Sequence, residues 1–386
     1  MRKETIAIRG QIERSQYSEH SAPLYLTSSY IFEDAEDMRS QFAEEKPGEI
    51  YSRYANPNVQ ELLDKVALLE GGESAWATAS GMAAVFTTFA TFLSAGDEIV
   101  SSRSVFGSTH RLLVDVFPKW NIKNTYVDFN NYSAYESAIT DKTKLVYIET
   151  PSNPALDLID IERLAAICKS RGVLLVVDNC FATPILQQPI KWGADLVIHS
   201  TTKFMDGQGR TLGGLIVSSK ELIEKVKAFA RHSGPAMSPF NAWVISKSIE
   251  TLDVRMERHC KNALEIAKRL STLSGISWVK YPFLSSHPDY EIAKKQMSDG
   301  GGLVSFELAG GLESGRQFLN KLNLFSLTAN LGDTRSIATH PASTTHSKLS
   351  PEQRHEVGIS DGLIRLSIGL ENIEDIWEDI FQACQA

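Results

Sequence analysis

The chain has no apolar run long enough to span a bilayer, and its first ten residues, Met1 to Gly10, carry charges without the apolar centre of a secretion signal. A soluble protein of the cytoplasm is expected. Cysteine is scarce: Cys168, Cys180, Cys260 and Cys384 lie far apart, with no Cys-x-x-Cys pair to suggest zinc or redox work, and they read as reduced packing residues. Metal-ligand spacing is missing as well. His340 and His346 bracket a polar loop without a partnering carboxylate, and His355-Glu356 lacks the second histidine of a zinc-protease helix, so no metal is expected. Like charges do not cluster. The 39 basic and 47 acidic side chains are dispersed and leave a net charge of −8, which announces neither a nucleic-acid partner nor a membrane partner. No internal repeat, low-complexity tract or Pro/Ser linker interrupts the 386 residues, which suffice for one large and one smaller, closely packed domain.

What the chain does contain is a stretch with chemistry in it. Asp195-Leu-Val-Ile-His199-Ser200-Thr201-Thr202-Lys203-Phe204 is a short β-branched strand whose polar residues begin where the strand should end. Lys203 therefore falls at the carboxyl end of a strand, where open α/β sheets bind ligands, and a lysine held among small hydroxyls there can act as an amine nucleophile. A lysine after a strand is ordinarily a surface residue; its company alters that reading. Upstream, Gly172-Val-Leu-Leu-Val-Val177-Asp178-Asn179 is a second apolar strand that ends in a carboxylate. Thr78-Ala-Ser80-Gly81-Met82 reads as a tight turn opening a helix, with free N–H groups and a positive dipole end for a phosphate. Amine, acid and anion-binding turn together suit pyridoxal 5'-phosphate, whose aldehyde takes a lysine and whose ring nitrogen pairs with an acid.

The surrounding pattern predicts an α/β protein. Residues 1–50 lack sustained periodicity and read as an extended N-terminal arm. Residues 51–245 read as a cofactor-binding domain and 246–386 as a smaller α+β domain. Asn56-Pro57 opens a helix with apolar residues three and four apart, stopped by Gly71-Gly72. A nearly all-apolar helix is expected from about Gly81 to Leu93. Strands are expected at 98–101, 145–149, 173–177, 196–198 and 215–218, with helical stretches such as 161–170 between most of them, which argues a mainly parallel sheet. A long amphipathic helix over 254–273, strands at 302–308 and 363–368, and helices at 313–322 and 373–384 complete the pattern. The glycines of Gly207-Gln-Gly209-Arg-Thr-Leu-Gly213-Gly214 do not make a dinucleotide site, because the third comes one place late and a strand follows.

Several ordered motifs resemble one family, the Cys/Met-metabolism enzymes that use pyridoxal phosphate: cystathionine γ-synthases and lyases, methionine γ-lyases and acyl-homoserine sulfhydrylases. They are Tyr51-Ser-Arg53-Tyr-Ala-Asn-Pro57, Ser80-Gly81-Met82, Glu149-Thr-Pro-Ser-Asn153-Pro154, Val177-Asp178-Asn179, His199 to Phe204, Met297 to Glu307, His340-Pro-Ala-Ser-Thr-Thr-His346 and Ile364-Arg365-Leu-Ser-Ile-Gly369. The resemblance implies the aspartate-aminotransferase fold (fold type I) and a homotetramer built as a dimer of dimers. It implies that Lys203 binds the cofactor aldehyde and moves protons, Asp178 pairs with the ring nitrogen, and Asn153 donates to the ring oxygen. It makes Ser80, Gly81, Met82, Ser200 and Thr202 the phosphate ligands, joined by Tyr51 and Arg53 of a neighbouring subunit, and Arg365 the clamp on the substrate α-carboxylate. Intact Lys203, Asp178 and Arg365 argue against a catalytically silent regulatory relative.

Two departures within the family bear on the reaction. Where lyases and synthases usually carry a tyrosine over the ring, this chain has Phe106, which can stack but cannot donate a proton. A carboxylate leaving group, with a conjugate-acid pKa of about 4 by analogy with Glu, departs unaided far more readily than a thiolate of pKa about 8.5. Asn330 stands where those enzymes tend to show serine, a form similar to the sulfhydrylases. The implied substrates are an O-acylhomoserine, the modest length being nearer the O-succinylhomoserine type, and sulfide; cystathionine γ-synthase and methionine γ-lyase chemistry are the alternatives.

Overall fold

A computed structural model describes residues 1–345, 347, 350–356 and 358–385; His346 of the histidine loop lies outside the described residues, as do the side chains of His355 and Glu356. Two sheets organise the chain. The larger has seven strands, β1 (Ser74–Thr78), β2 (Glu98–Ser102), β3 (Lys123–Val127), β4 (Thr143–Glu149), β5 (Leu174–Asp178), β6 (Leu196–Ser200) and β7 (Gly214–Ser218), in the order β1-β7-β6-β5-β4-β2-β3. From β3 to β6 every neighbouring pair is parallel, whereas β7 is antiparallel to both β6 and β1. Parallel neighbours need a crossover, which helices such as Ile161–Arg171 supply. The 201–213 connection holds no helix and turns straight back, so β7 reverses; this turn carries Lys203.

Both faces of the sheet are covered, which is why its strands are apolar throughout and not alternating. Val177, Val197, Leu215 and Val217 pack on one side with Leu62 and Val66 of the helix Pro57–Glu70. Val176, Leu196, Ile198 and Ile216 pack on the other with Val85 and Phe89 of the helix Gly81–Phe92. The smaller sheet has five strands, β8 (Ile276–Lys280), β9 (Leu303–Leu308), β10 (Ser326–Leu327), β11 (Ile337–Thr339) and β12 (Leu363–Ser367), in the order β10-β11-β12-β9-β8. Its core gathers Phe306, Phe318, Ile364, Leu366, Ile376 and Ile380.

The helix Leu252–Leu270 joins the two layers. Leu252, Met256 and Cys260 bury in the large-sheet core, while Ala263, Ile266 and Leu270 bury in the small-sheet core. From it the buried Arg255 guanidinium donates to the carbonyls of Phe204 (2.6 Å), Met205 (3.2 Å) and Ser248 (3.0 Å), fixing the turn that carries Lys203. Behind β6, His199 Nε2 and Glu70 Oε2 lie 2.8 Å apart and wholly buried, linking that strand to the helix Pro57–Glu70. Among the described residues no helix is long and apolar enough to cross a membrane.

The N-terminal segment departs from the extended arm expected of it by forming two short helices, Lys3–Arg9 and Ala35–Phe42. The first is held from outside, by burial of Ala7 and by Lys3 Nζ donating to the carbonyls of Pro184 (2.6 Å) and Ile185 (2.9 Å). The second buries no residue: Asp34 caps it and Arg39 pairs with Glu36 and Glu45, while its apolar Met38 and Phe42, four residues apart, are exposed in the single chain.

Gly332 ties the small layer to the Lys203 turn. Its φ is +74°, its N–H donates to Ser367 Oγ (2.8 Å), and an added Cβ would sit 2.6 Å from Phe204 N and 3.0 Å from Lys203 C. Gly332→Ala should therefore cost at least about 1–3 kcal/mol, the usual penalty of a strained backbone. A calorimetric unfolding midpoint equal to that of the native protein would show that this approach is not tight.

Candidate active site

Strands β4, β5 and β6 end side by side, because the register pairs Glu149 with Asp178 and Asp178 with Ile198. Their carboxyl ends form one edge, and the polar side chains that follow each strand share a crevice against the smaller sheet.

Lys203 lies in the turn after β6, held by its own N–H to the Ser200 carbonyl (3.3 Å) and by Gly207 N–H donating to the Lys203 carbonyl (2.8 Å). Its Nζ donates to Asn330 Oδ1 at 2.7 Å. Burial lowers the pKa of this amine; nearby Cys180 acts to raise it, and the positive Arg365 lowers it further. Asp178 retains some accessible surface, but protein closes around its carboxyl on most sides, and that desolvation raises its pKa. Its Oδ1 accepts from Cys180 N–H (3.1 Å) and its Oδ2 from the Tyr147 hydroxyl (3.2 Å), contacts that favour the carboxylate and oppose the rise.

Arg365 sits on β12, paired with Ser305 of β9 and Thr339 of β11, and is buried. Its Nη1 donates to Asn153 Oδ1 (2.9 Å) and its Nη2 to the Asn330 carbonyl (3.2 Å), while among the described residues its Nε has no partner. Desolvation brings its pKa down to about 10 against the opposing pull of Glu149, so it stays charged at neutral pH. Lys203 to Asn330 and Arg365 to Asn153 thus join the two layers through four of the residues singled out in the sequence.

At the start of the helix Gly81–Phe92, Ser80 Oγ accepts from Ala83 N–H (3.1 Å), which leaves the amides of Gly81 and Met82 ahead of the first satisfied turn. No acid occupies that turn. The helix start lies directly on Ser200: a Cβ on Gly81 would come within 2.6 Å of Ser200 Cβ. Thr202 Oγ1 accepts from Gly213 N–H (3.3 Å), and Met82 Sδ from the Thr109 hydroxyl (3.7 Å). Phe106 precedes the short helix Gly107–Arg111, with 45% of its surface exposed and its N–H bonded to Glu149 Oε2 (2.8 Å).

Tyr51 and Arg53 are elsewhere. Arg53 bonds the Arg231 carbonyl and lies over the rings of Tyr51 (5.4 Å) and Tyr54 (4.7 Å), while Tyr51 is exposed. Among the described residues their polar and ring contacts do not include Ser80, Ser200, Asp178 or Lys203. His340 is committed to Ser343 Oγ (2.8 Å) and the Asp361 carbonyl (2.7 Å).

Two residues at the crevice, Tyr147 and Glu149, had no role in the sequence reading. Tyr147 and Glu149 alternate on β4 and so share a face, a period-two signal hidden in an apolar run. Cys180 packs its thiol toward the Ser200 carbonyl (3.6 Å), and burial pushes its pKa up, which makes it an unreactive thiol.

The donor set suits pyridoxal phosphate: an amine of lowered pKa, a carboxylate with a phenol behind it, an acid-free helix start with hydroxyls beside it, and a guanidinium with an unpaired buried Nε. Comparison with known proteins agrees. Residues 4–385 match the family described as Cys/Met metabolism PLP-dependent enzyme. The O-succinylhomoserine sulfhydrylase of Pseudomonas aeruginosa is 45% identical over 99% of this chain and 95% of its own. The L-methionine gamma-lyase of Fusobacterium nucleatum subsp. polymorphum is 43% identical over 99% of this chain and 97% of its own. The solved structure of O-acetylhomoserine (thiol)-lyase metY from Campylobacter jejuni, which carries a pyridoxyl-lysine monophosphate, covers 100% of both chains with a TM-score of 0.96 at 34% identity. On this full-length match, the chain belongs to the Cys/Met metabolism PLP-dependent enzyme family.

Proposed function

We propose that this protein replaces the acyloxy group of an O-acylhomoserine, O-succinylhomoserine by preference, with sulfide to give homocysteine for methionine biosynthesis. The observation that carries this reading is Phe106 at the crevice mouth: the aromatic residue there has no proton to give a departing thiolate. The nearby phenol of Tyr147 is buried and engaged with Asp178, so it does not substitute. Sequence identity does not separate the two chemistries, since relatives of both kinds lie at 45% and 43%; the leaving group does.

When bound, the cofactor supplies an aldehyde that takes an amine and a ring that accepts the electron pair released at the substrate Cα. Lys203 would be the amine that holds the aldehyde and, as a free amine, the base that moves protons at the substrate Cα and Cβ. Its lowered pKa keeps the neutral form accessible nearer neutral pH, and Asn330 orients it by accepting from Nζ. Asp178, its carboxylate fixed by the Tyr147 hydroxyl, would hold the ring nitrogen in its protonated form. Asn153 turns its Oδ1 to Arg365, which leaves its Nδ2 to donate to the ring oxygen. Ser80, Gly81, Met82, Ser200 and Thr202 would hold the phosphate, Arg365 would bind the substrate α-carboxylate, and Phe106 would offer its ring as a stacking surface.

Tyr51 and Arg53 complete the phosphate site of a neighbouring subunit in a homotetramer made of two such dimers, working in the cytoplasm. The arm supports this: Tyr17, Leu26, Ile31 and Tyr51 are large apolar side chains exposed in the single chain, a surface suited to burial by a second copy.

The direct test is turnover of succinyl-, acetyl- and phospho-homoserine with sulfide, cysteine or methanethiol, where homocysteine formation from the succinyl ester and sulfide should be fastest. Lys203→Ala should abolish both turnover and the visible absorption of the bound cofactor; normal turnover in that variant would remove the cofactor assignment. Mixing Lys203→Ala chains with Arg53→Ala chains should recover activity, because each hybrid dimer holds one site with both residues intact. Hybrids that form and stay inactive would place Arg53 in its own subunit's service. Phe106→Tyr should raise methanethiol release from methionine relative to acyl-ester replacement by roughly 10- to 100-fold, at or below the low end for a positioned acid. Efficient methionine cleavage by the native protein would decide for a lyase instead.

A further inference from the structure

Glu149 is a carboxyl that the proposed chemistry does not use. It is 3% exposed and lies in register beside Asp178. Burial and the neighbouring Asp178 both push its pKa well up, with Phe106 N–H and Arg365 opposing. A carboxyl in such a place is costly unless it is hydrogen-bonded, and the bond it makes is to the peptide N–H of Phe106, at 2.8 Å.

That bond matters because of how little else holds Phe106. Nearly half its surface is exposed, so packing does not fix the ring, and its placement must come from the backbone. The loop after β2 is tied at its beginning by Arg103 N–H to the Val127 carbonyl (2.9 Å). At its end the Phe106 carbonyl accepts from His110 N–H (3.0 Å), a bond within the short helix that follows and moves with it. That helix has no side-chain cap. Val105, just before it, is buried in the core beside β2 and β4, so the chain is anchored up to that residue; among the described residues the bond to Glu149 is the hydrogen bond that ties the Phe106 backbone itself to the sheet.

We propose that Glu149 is a positioning residue, which holds Phe106 at the crevice mouth by accepting its peptide N–H from the end of the strand next to Asp178. This rests on the reading above in which Phe106 stacks on the cofactor ring. The tether needs an acceptor at the right reach, not a charge. Asp keeps the charge but is about 1.5 Å shorter, one C–C bond, and falls out of hydrogen-bond range. Gln keeps the reach and an acceptor oxygen but has no charge.

The experiment compares Glu149→Gln and Glu149→Asp holoenzymes, each alone and combined with Phe106→Ala, by steady-state kinetics with O-succinylhomoserine and sulfide. Glu149→Asp should lower kcat roughly tenfold or more, as displacements of about 1 Å in a site do, and Glu149→Gln should retain several-fold more activity than Glu149→Asp. In the Phe106→Ala background the Gln and Asp variants should become alike, since the residue through which Glu149 acts is gone. Glu149→Asp more active than Glu149→Gln would mean that the charge is what counts and would overturn the tether, as would a Gln–Asp difference that persists without Phe106. Native kinetics in Phe106→Ala alone would instead remove the reading of Phe106 on which the tether depends. Should the variants not retain cofactor, amide exchange in the unaltered holoenzyme decides: the Phe106 N–H should exchange slowly for so exposed a residue, and fast exchange overturns the proposal.

Discussion

Lys203, Asp178, Glu149 and Arg365 meet at one sheet edge, where each is taken largely out of bulk water, and that shared desolvation is what the rest of the structure has to sustain. Charges isolated in such surroundings would neutralise. The amine moves down and the two carboxyls move up, while the guanidinium, brought down to about 10, stays charged at neutral pH. The result is a crevice in which small changes of partner alter who holds a proton, as a site that shuttles protons along a substrate carbon requires. Water is kept from re-solvating these groups only as long as two layers stay pressed together over them.

The scaffold that keeps them together is built from rigid elements. Strands β4, β5 and β6 deliver Glu149, Asp178 and the Lys203 turn from the centre of a sheet covered on both faces. The helix Leu252–Leu270 contributes to both cores, and its Arg255 clamps the lysine turn by two carbonyls, those of Phe204 and Met205. Asn153 and Asn330 each accept from a side chain of the opposite layer, Arg365 and Lys203.

Much of this was legible in the residues. The helix Pro57–Glu70 announces itself by Asn56, Pro57 and Gly71, and the structure shows the cap, the proline in the first turn and the left-handed stop. Strand ends at Asp178 and near Ile198 followed from apolar runs that turn polar, the second strand running two residues further, to Ser200. Strands β1 and β3 did not, because Ser-Ala-Trp-Ala-Thr and Lys-Asn-Thr-Tyr-Val carry too few branched apolar residues and take their strand form from their neighbours in the sheet. Glu149 stood in plain view within a motif, yet a carboxylate at a strand end is ordinarily a cap. Only the register, which sets it beside Asp178, and the loop, which brings Phe106 back to it, give it a partner. No single segment of sequence contains that information.

The bonds that close the crevice also span the chain: Lys203 and Asn330 are 127 positions apart, Asn153 and Arg365 are 212. Contacts of such separation carry the largest loop-closure entropy and form late. The large sheet is complete once β7 ends at Ser218, whereas Arg365 arrives only on β12, which pairs with both β9 and β11 much further along the sequence. In chain order the edge that bears Lys203, Asp178 and Glu149 is therefore encoded before the layer that covers it, and a chain cut after β7 would keep that edge but lose the guanidinium and the water-excluding cover that make it a crevice.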